Sequence, residues 1–371
     1  MATQAHVVGW GKYLPSRVLT NYDLSRMVDT SDEWIRTRTG ISERRIAEDG
    51  ETTASMSILA SREALRVADV KASELDLIIV ATCTPDYIFP STACLVQDSL
   101  GSPHAAAFDL AAGCSGFVYA LSSAASYISA GIYENALVIG SETLSRIVDW
   151  ADRTTCVLFG DGAGAVVLQA GNSSGGVLST ALGSDGSGGD VLFMPAGGSR
   201  EPASHRTVSE GKHYLRMRGR EVFRFAIRAM PTATRLVLDK AGLGVQDLDL
   251  IVPHQANQRI IQASAKALGI AEELIYSNLD RYGNTSAASV PIALCDAVEE
   301  GRLQRDDVVV FVGFGAGLTW AAAALRWTAP EAPVPATRWQ HLRSRINYGL
   351  AGLRSTLRRI VRWILALFVR E

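Results

Sequence analysis

Three side chains stand out for the chemistry they could perform together: Cys114, His254 and Asn284. Cys114 lies in AAGCSGF, where small neighbours permit a tight strand-to-helix turn. A thiol at a helix N-terminus feels the helix dipole and unpaired N–H groups, which lower its pKa and favour thiolate. A thiolate can attack a thioester and hold the acyl group covalently. His254 can donate an Nε2–H to an oxyanion, and Asn284, in YGNTSA, supplies a neutral amide donor beside it. Two such donors on one carbonyl oxygen stabilise an enolate, by about 3–4 kcal/mol per well-placed donor. Carbon–carbon bond formation from a malonyl thioester needs that stabilisation, because decarboxylation leaves an enolate that must attack the acyl-cysteine. Taken singly, each residue has a plainer reading: a small core cysteine, a satisfied buried histidine, a turn asparagine.

Their positions in a repeated pattern give them joint weight. Residues 64–80, ALRVADVKASELDLIIV, align without gaps on 237–253, VLDKAGLGVQDLDLIVP, at an offset of 173. The same offset places GCSGFVYAL (113–121) on SAASVPIAL (286–294), and ALVIGSETLS (136–145) on VVFVGFGAGL (309–318). One offset serving three separated segments indicates an internal duplication. Each copy combines amphipathic helices with apolar β-runs, which predicts two βαβ-type halves. DLIIVA, ALVIGSE, AGAVVLQ, DLIVP and VVVFVG are continuous apolar runs, as strands covered on both faces should be. Differences between matched positions then mark the site. Cys114 falls on Ala287, while His254 and Asn284 belong to the second copy.

Composition is that of a globular protein: 371 residues, 47% hydrophobic and 20% charged, long enough for two domains. The formal charge of −2 gives no global reason to expect nucleic acid. Cys83, Cys94, Cys114, Cys156 and Cys295 show no CxxC pairing, which argues against zinc and disulfides and suits reduced thiols in the cytoplasm. All but Cys114 read as small core residues. No basic, apolar leader opens the sequence, and no run of about 18 apolar residues predicts a membrane span. GDGAG (160–164) precedes a strand instead of opening a helix, so it is not read as a phosphate loop. The expected domains are 1–172, carrying the cysteine, 173–328, carrying His254 and Asn284, and 329–371, a linker and helix.

Six segments in order resemble the β-ketoacyl-acyl-carrier-protein synthase III family over residues 5–327. They are VDTSDEWIRTRTGISERR (28–45), DLAAGCSGF (109–117), FGDGAGAVVL (159–168), VPHQANQRI (252–260), YGNTSAAS (282–289) and GFGAGLTW (313–320). The resemblance implies a thiolase-like α/β fold of two duplicated halves in five layers, α-β-α-β-α. It implies a homodimeric acyltransferase with Cys114 as nucleophile and His254 and Asn284 as its partners. An acyl-CoA, most simply acetyl-CoA, would load Cys114, and malonyl-acyl-carrier protein would then be condensed, with no metal or redox cofactor. By the same likeness, Trp34 and Arg38 would contact the coenzyme A adenine, and Thr30, Arg153, Phe223 and Asn257 would line the pantetheine tunnel. Gln255, Ala256, Asn257, Gln258 and Arg259 would meet the carrier protein. Phe89 would reach into a partner's acyl pocket, and the backbone N–H groups of Cys114 and Ala316 would form an oxyanion hole. A second cysteine in GFGAG, which degradative thiolases need, is missing, and Asn284 stands where chain-elongating synthases carry a second histidine. A starter synthase of a polyketide or signalling pathway is the alternative reading, followed by an inactive membrane-tethered paralogue.

The family pattern stops near Trp327. After TAPEAPVPAT, the residues Ile346, Leu350, Leu353, Leu357, Ile360, Ile364 and Leu367 keep a 4-3 spacing, and from Glu331 onward eight Arg face two Glu. This pattern predicts a basic amphipathic helix over 339–371 lying in an anionic membrane surface. A self-associating coiled coil and packing on the enzyme's own surface are the alternatives.

Overall fold

The computed structural model describes residues 3–329 and, in the tail, Thr356, Leu357, Ile360, Val361 and Ile364. Nine strands form two sheets. Strands β1 (Gln4–Tyr13), β2 (Leu77–Ala81), β3 (Ala106–Leu110), β4 (Asn135–Glu142) and β5 (Gly162–Gly171) form the first, in the order β1-β5-β4-β2-β3. Strands β6 (Gly176–Ser184), β7 (Leu250–Pro253), β8 (Val308–Gly315) and β9 (Thr319–Arg326) form the second, in the order β7-β8-β9-β6. In the first sheet β4, β2 and β3 are mutually parallel while β1 and β5 join antiparallel; in the second β7 and β8 are parallel and β9 and β6 follow antiparallel.

The helices that matter for the site are α1 (Asp32–Thr39), α2 (Thr53–Ala68), α3 (Thr92–Leu100), α4 (Gly116–Ser129), α5 (Gly219–Lys240), α6 (Gln258–Leu268) and α7 (Ser289–Glu299). Helices α2 and α3 cover the outer face of the first sheet, α5 and α6 serve the second, and α4 and α7 fill the space between the sheets. The layers therefore run α-β-α-β-α. Side-chain alternation explains why the strands read as unbroken apolar runs. Leu77, Ile79, Ala136 and Val138 face the central helices, while Ile78, Val80, Leu137 and Ile139 face the outer ones. Val309 and Phe311 do the same against Val310 and Val312 in the second sheet.

The 173-residue offset is visible in the elements themselves. It carries β4 onto β8 end to end, the start of β2 onto β7, and the start of α4 onto that of α7. It also carries the short 3-10 turn Gly113–Ser115 onto Ser286–Ala288. The two turns pack against each other, each at the N-terminus of one central helix. Small residues make this approach possible. A β-carbon on Gly140 would overlap the carbonyl oxygen of Ala287, and one on Gly116 would sit 3.6 Å from the Ala287 β-carbon.

Cys83 and Cys94, expected in the core, are exposed, unlike Cys156 and Cys295. Cys94 lies on α3, against the edge strand β3. Cys83 opens a segment in which Tyr87, Ile88 and Phe89 stand 59%, 86% and 84% exposed. The helix expected over 339–371 lies outside the described residues except at the five tail positions, which are helical; Leu357, Ile360, Val361 and Ile364 are exposed. Among the described residues, no helix is long and apolar enough to cross a membrane.

Candidate active site

Cys114 occupies the middle of the first turn, buried to 6% exposure, directly before α4. The end of β8 presents only glycines, Gly313 and Gly315, on the face beside it. A β-carbon on Gly315 would lie 2.9 Å from the Cys114 nitrogen and 3.1 Å from Sγ, and one on Gly113 would lie 2.9 Å from the Ala316 nitrogen. The glycines thus bring the backbone N–H groups of Cys114 and Ala316 to the same small region. Burial pushes the Cys114 thiol up to about 12, against the pull of a hydrogen bond with the Ser286 side chain. The reduced pKa expected from the helix N-terminus is therefore opposed by desolvation.

His254 follows β7. Its backbone N–H donates to Val312 O at 2.8 Å, its ring meets Phe314 edge-on at 5.2 Å, and it is 2% exposed. Burial lowers its pKa to about 3, so the ring is neutral at physiological pH. Ser289 Oγ lies 2.7 Å from His254 Nδ1 and 2.7 Å from Ser286 O. The single Ser289 proton therefore sets the tautomer. Directed at Nδ1, it leaves Nε2 protonated and able to donate; directed at the carbonyl, it leaves Nε2 an acceptor.

Asn284 is held by its backbone to the segment 158–160, donating to Leu158 O at 2.9 Å and accepting from Gly160 N at 3.0 Å. Its Oδ1 accepts the Ser286 N–H at 2.8 Å, which leaves the amide NH2 as its donor. Asp161, in GDGAG, is fully buried and accepts from Ala47 N, Ser145 N and Ser145 Oγ, so that motif anchors loops. Cys114, His254 and Asn284 thus meet around one residue, Ser286, on a site assembled from both halves. Ser286 and Ser289 were not singled out in the sequence. The 173-residue register, which pairs Ser286 with Gly113, was the signal available.

The surrounding residues divide. Arg153 places its guanidinium 5.5 Å over the Trp34 ring and donates to Asp29 O at 2.7 Å. The cation stacked on Trp34 is therefore Arg153, from a loop far away in sequence; Arg38 is exposed, and its carbonyl accepts from Asn257 Nδ2 at 3.0 Å. Thr30 Oγ1 is buried with no hydrogen-bond partner among the described residues. Asn257 spends both ends of its carboxamide internally, since its Oδ1 caps α6 through Arg259 N. Gln255, expected at a carrier-protein surface, is 1% exposed and bonds Pro253 O, Tyr276 O and Asn278 N. Gln258 is tied to Glu272 and Ser277, and Ala256 is half-buried. Of that segment only Arg259 is exposed, 5.5 Å over the half-buried Phe223 ring. Arg220, Arg224 and Arg228, spaced four apart on α5, extend the exposed positive surface and were missed in the sequence.

Comparison with known proteins shows the family. Two family models match, 3-oxoacyl-[acyl-carrier-protein] synthase III over residues 108–186 and its C-terminal counterpart over 238–327. A β-ketoacyl-[acyl-carrier-protein] synthase III from Caldanaerobacter subterraneus is 55% identical, over 87% of this chain and 98% of that relative. The Symbiobacterium thermophilum enzyme of the same name is 57% identical, over 86% and 97%. The chain belongs to the β-ketoacyl-acyl-carrier-protein synthase III family. Among solved structures, the Aquifex aeolicus synthase III matches with a TM-score of 0.81 at 50% identity, over 87% of this chain and all of that one. A priming β-ketosynthase of the R1128 polyketide pathway matches with a TM-score of 0.83 at 38% identity, over 90% and 98%.

Burial at Cys114 has a measurable consequence. A thiol with a pKa near 12 gains thiolate about tenfold per pH unit until that value is reached. Inactivation of the unliganded enzyme by iodoacetamide should therefore rise steadily up to pH 9. A plateau below pH 8 would show that the helix N-terminus outweighs burial.

Proposed function

We propose that this enzyme performs the initiating condensation of type II fatty-acid synthesis. The supporting observation is the convergence of Cys114, His254 and Asn284 on Ser286 at the two facing turns. Cys114 loses its proton and attacks the carbonyl of acetyl-CoA as thiolate, the N–H groups of Cys114 and Ala316 hold the oxyanion, and CoA leaves as a thiolate that takes up the proton. Malonyl-acyl-carrier protein then enters and loses CO2. With the Ser289 proton on Nδ1, His254 Nε2–H and the Asn284 amide donate to the enolate oxygen that forms. The enolate carbon attacks the acetyl-cysteine, giving 3-ketoacyl-carrier protein and freeing the Cys114 thiolate. The departing CO2 supplies the electron pair, so the cycle runs without a metal or redox cofactor.

Trp34 and Arg153 offer an indole face and a guanidinium for a base, with Thr30 along the pantetheine arm. Arg259 and the α5 arginines offer an acidic carrier protein complementary charge. Two copies associate through the edge strand β3 and the exposed Tyr87-Ile88-Phe89 segment, which would seat Phe89 in the partner's acyl pocket. A reduced nucleophile suits the cytoplasm. The tail adds a contact with anionic membrane. Leu357, Ile360, Val361 and Ile364 present one exposed apolar face, and Arg354, Arg358, Arg359 and Arg362 are interleaved with them in sequence.

His254→Ala and Asn284→Ala should each keep acetyl loading on Cys114 yet lose malonyl decarboxylation by about 10²–10³-fold. Intact mass and CO2 release measure the two steps, and a variant that decarboxylates normally contradicts the assigned role. Deleting residues 331–371 should leave condensation intact and abolish co-sedimentation with anionic vesicles; unchanged co-sedimentation removes the membrane contact.

A further inference from the structure

The duplication that marks Cys114 marks two further asymmetries at the same facing turns. The first is at Ser286. Its partner in the first repeat, 173 residues earlier, is Gly113, and both have left-handed backbone, φ +49° and +56°. Glycine adopts that conformation freely; serine does so at a cost, and such a residue persists where its surroundings hold it. The second is at Glu142, the last residue of β4. Its partner is Gly315, the last residue of β8, which runs bare past Cys114. Where the second repeat sends a glycine past the first repeat's turn, the first sends a carboxylate to the second repeat's turn.

Glu142 is fully buried and meets donors on every side. Thr84 Oγ1 donates to Oε2 at 2.6 Å, Thr82 Oγ1 at 3.2 Å and Cys83 N at 3.0 Å, while Ser286 Oγ donates to Oε1 at 3.0 Å. Thr82 and Thr84 donate because an ionised carboxylate only accepts, and each hydroxyl is held in place by accepting a backbone N–H, from Thr84 and Thr143 respectively. Burial raises the Glu142 pKa, and these four donors oppose the rise. The carboxylate belongs to the first half, and only its bond to Ser286 crosses to the second.

Ser286 in turn controls both enolate donors. Its N–H fixes Asn284 Oδ1, and its carbonyl competes with His254 Nδ1 for the Ser289 proton. We infer that Glu142 is a positioning residue for decarboxylation: by holding Ser286 in its left-handed turn across the two halves, it orients the Asn284 amide and sets the tautomer of His254. Glu142 makes no hydrogen bond to Cys114 among the described residues, and its charge helps to keep that thiol protonated. The inference rests on the condensing reaction proposed above and adds to it a device that separates loading from decarboxylation.

The test measures the two half-reactions in the enzyme spanning residues 1–371, with acetyl-CoA and malonyl-acyl-carrier protein. Glu142→Ala should load Cys114 to one equivalent. Its kcat for CO2 release should fall about 100-fold, with KM for malonyl-carrier protein within about threefold of wild type. Glu142→Gln keeps an oxygen toward Thr82 and Thr84 and turns its NH2 to Ser286 Oγ, which can accept, so it should stay within about tenfold of wild type. Ser286→Gly supplies glycine's freedom at the strained position. The double variant Glu142→Ala/Ser286→Gly should therefore regain about tenfold over Glu142→Ala alone. Wild-type CO2 release by Glu142→Ala, no gain in the double variant, or equal losses in loading and decarboxylation would each overturn the inference. A wild-type enzyme that neither loads nor decarboxylates would instead overturn the functional reading beneath it.

Discussion

Two helix-start turns, one from each repeat, are pressed together between two sheets, and the site depends on that contact. The turns Gly113–Ser115 and Ser286–Ala288 meet where α4 and α7 begin. Such an approach leaves no room for β-carbons on the strands that flank it, and Gly140, Gly313 and Gly315 are the result. Burial follows from the same contact. It makes the Cys114 thiol hard to ionise and keeps the His254 ring neutral, while raising the worth of every hydrogen bond aimed at a developing charge. A buried site between two repeats suits a reaction whose thioester intermediate water would hydrolyse and whose enolate water would protonate.

Symmetry makes the scaffold and its violation makes the chemistry. Matched elements supply rigidity: β4 and β8 end at equivalent points, and the turns Gly113–Ser115 and Ser286–Ala288 open α4 and α7 at equivalent points. At those turns the residues differ. The first repeat offers a thiol beside a bare strand end; the second offers an amide, an imidazole and a carboxylate-braced serine. Neither half carries a complete site.

Much of this was legible in the residue string, and the limits have physical causes. The offset of 173 predicted the paired halves, and apolar runs predicted strands covered on both faces. Cys114, His254 and Asn284 were found as departures from the repeat. Ser286 and Glu142 sat in the same aligned segments and escaped notice, because the sign of φ and the direction of a strand-end side chain are not written in residue type. HQANQR reads as one polar segment. Gln255 nevertheless turns inward at the end of β7 while Arg259 emerges on α6, so one motif mixes brace and surface. Arg153 was assigned to the tunnel, but its stacking on Trp34 joins residues over a hundred positions apart, which no local pattern reveals. Cys83 and Cys94 were read as core because isolated cysteines usually are; here they lie beside the exposed apolar segment and edge strand.

The central claim is that one thiol from the first repeat carries the acyl group and the second repeat discharges it. Peptide mapping after a brief exposure to acetyl-CoA, followed by a chase with malonyl-acyl-carrier protein, tests this most directly. The account predicts acetyl on the peptide containing Cys114 alone, disappearing during the chase as 3-ketoacyl-carrier protein forms. Acetyl on Cys83, Cys94, Cys156 or Cys295, or an acetyl-Cys114 peptide that survives the chase, would contradict it.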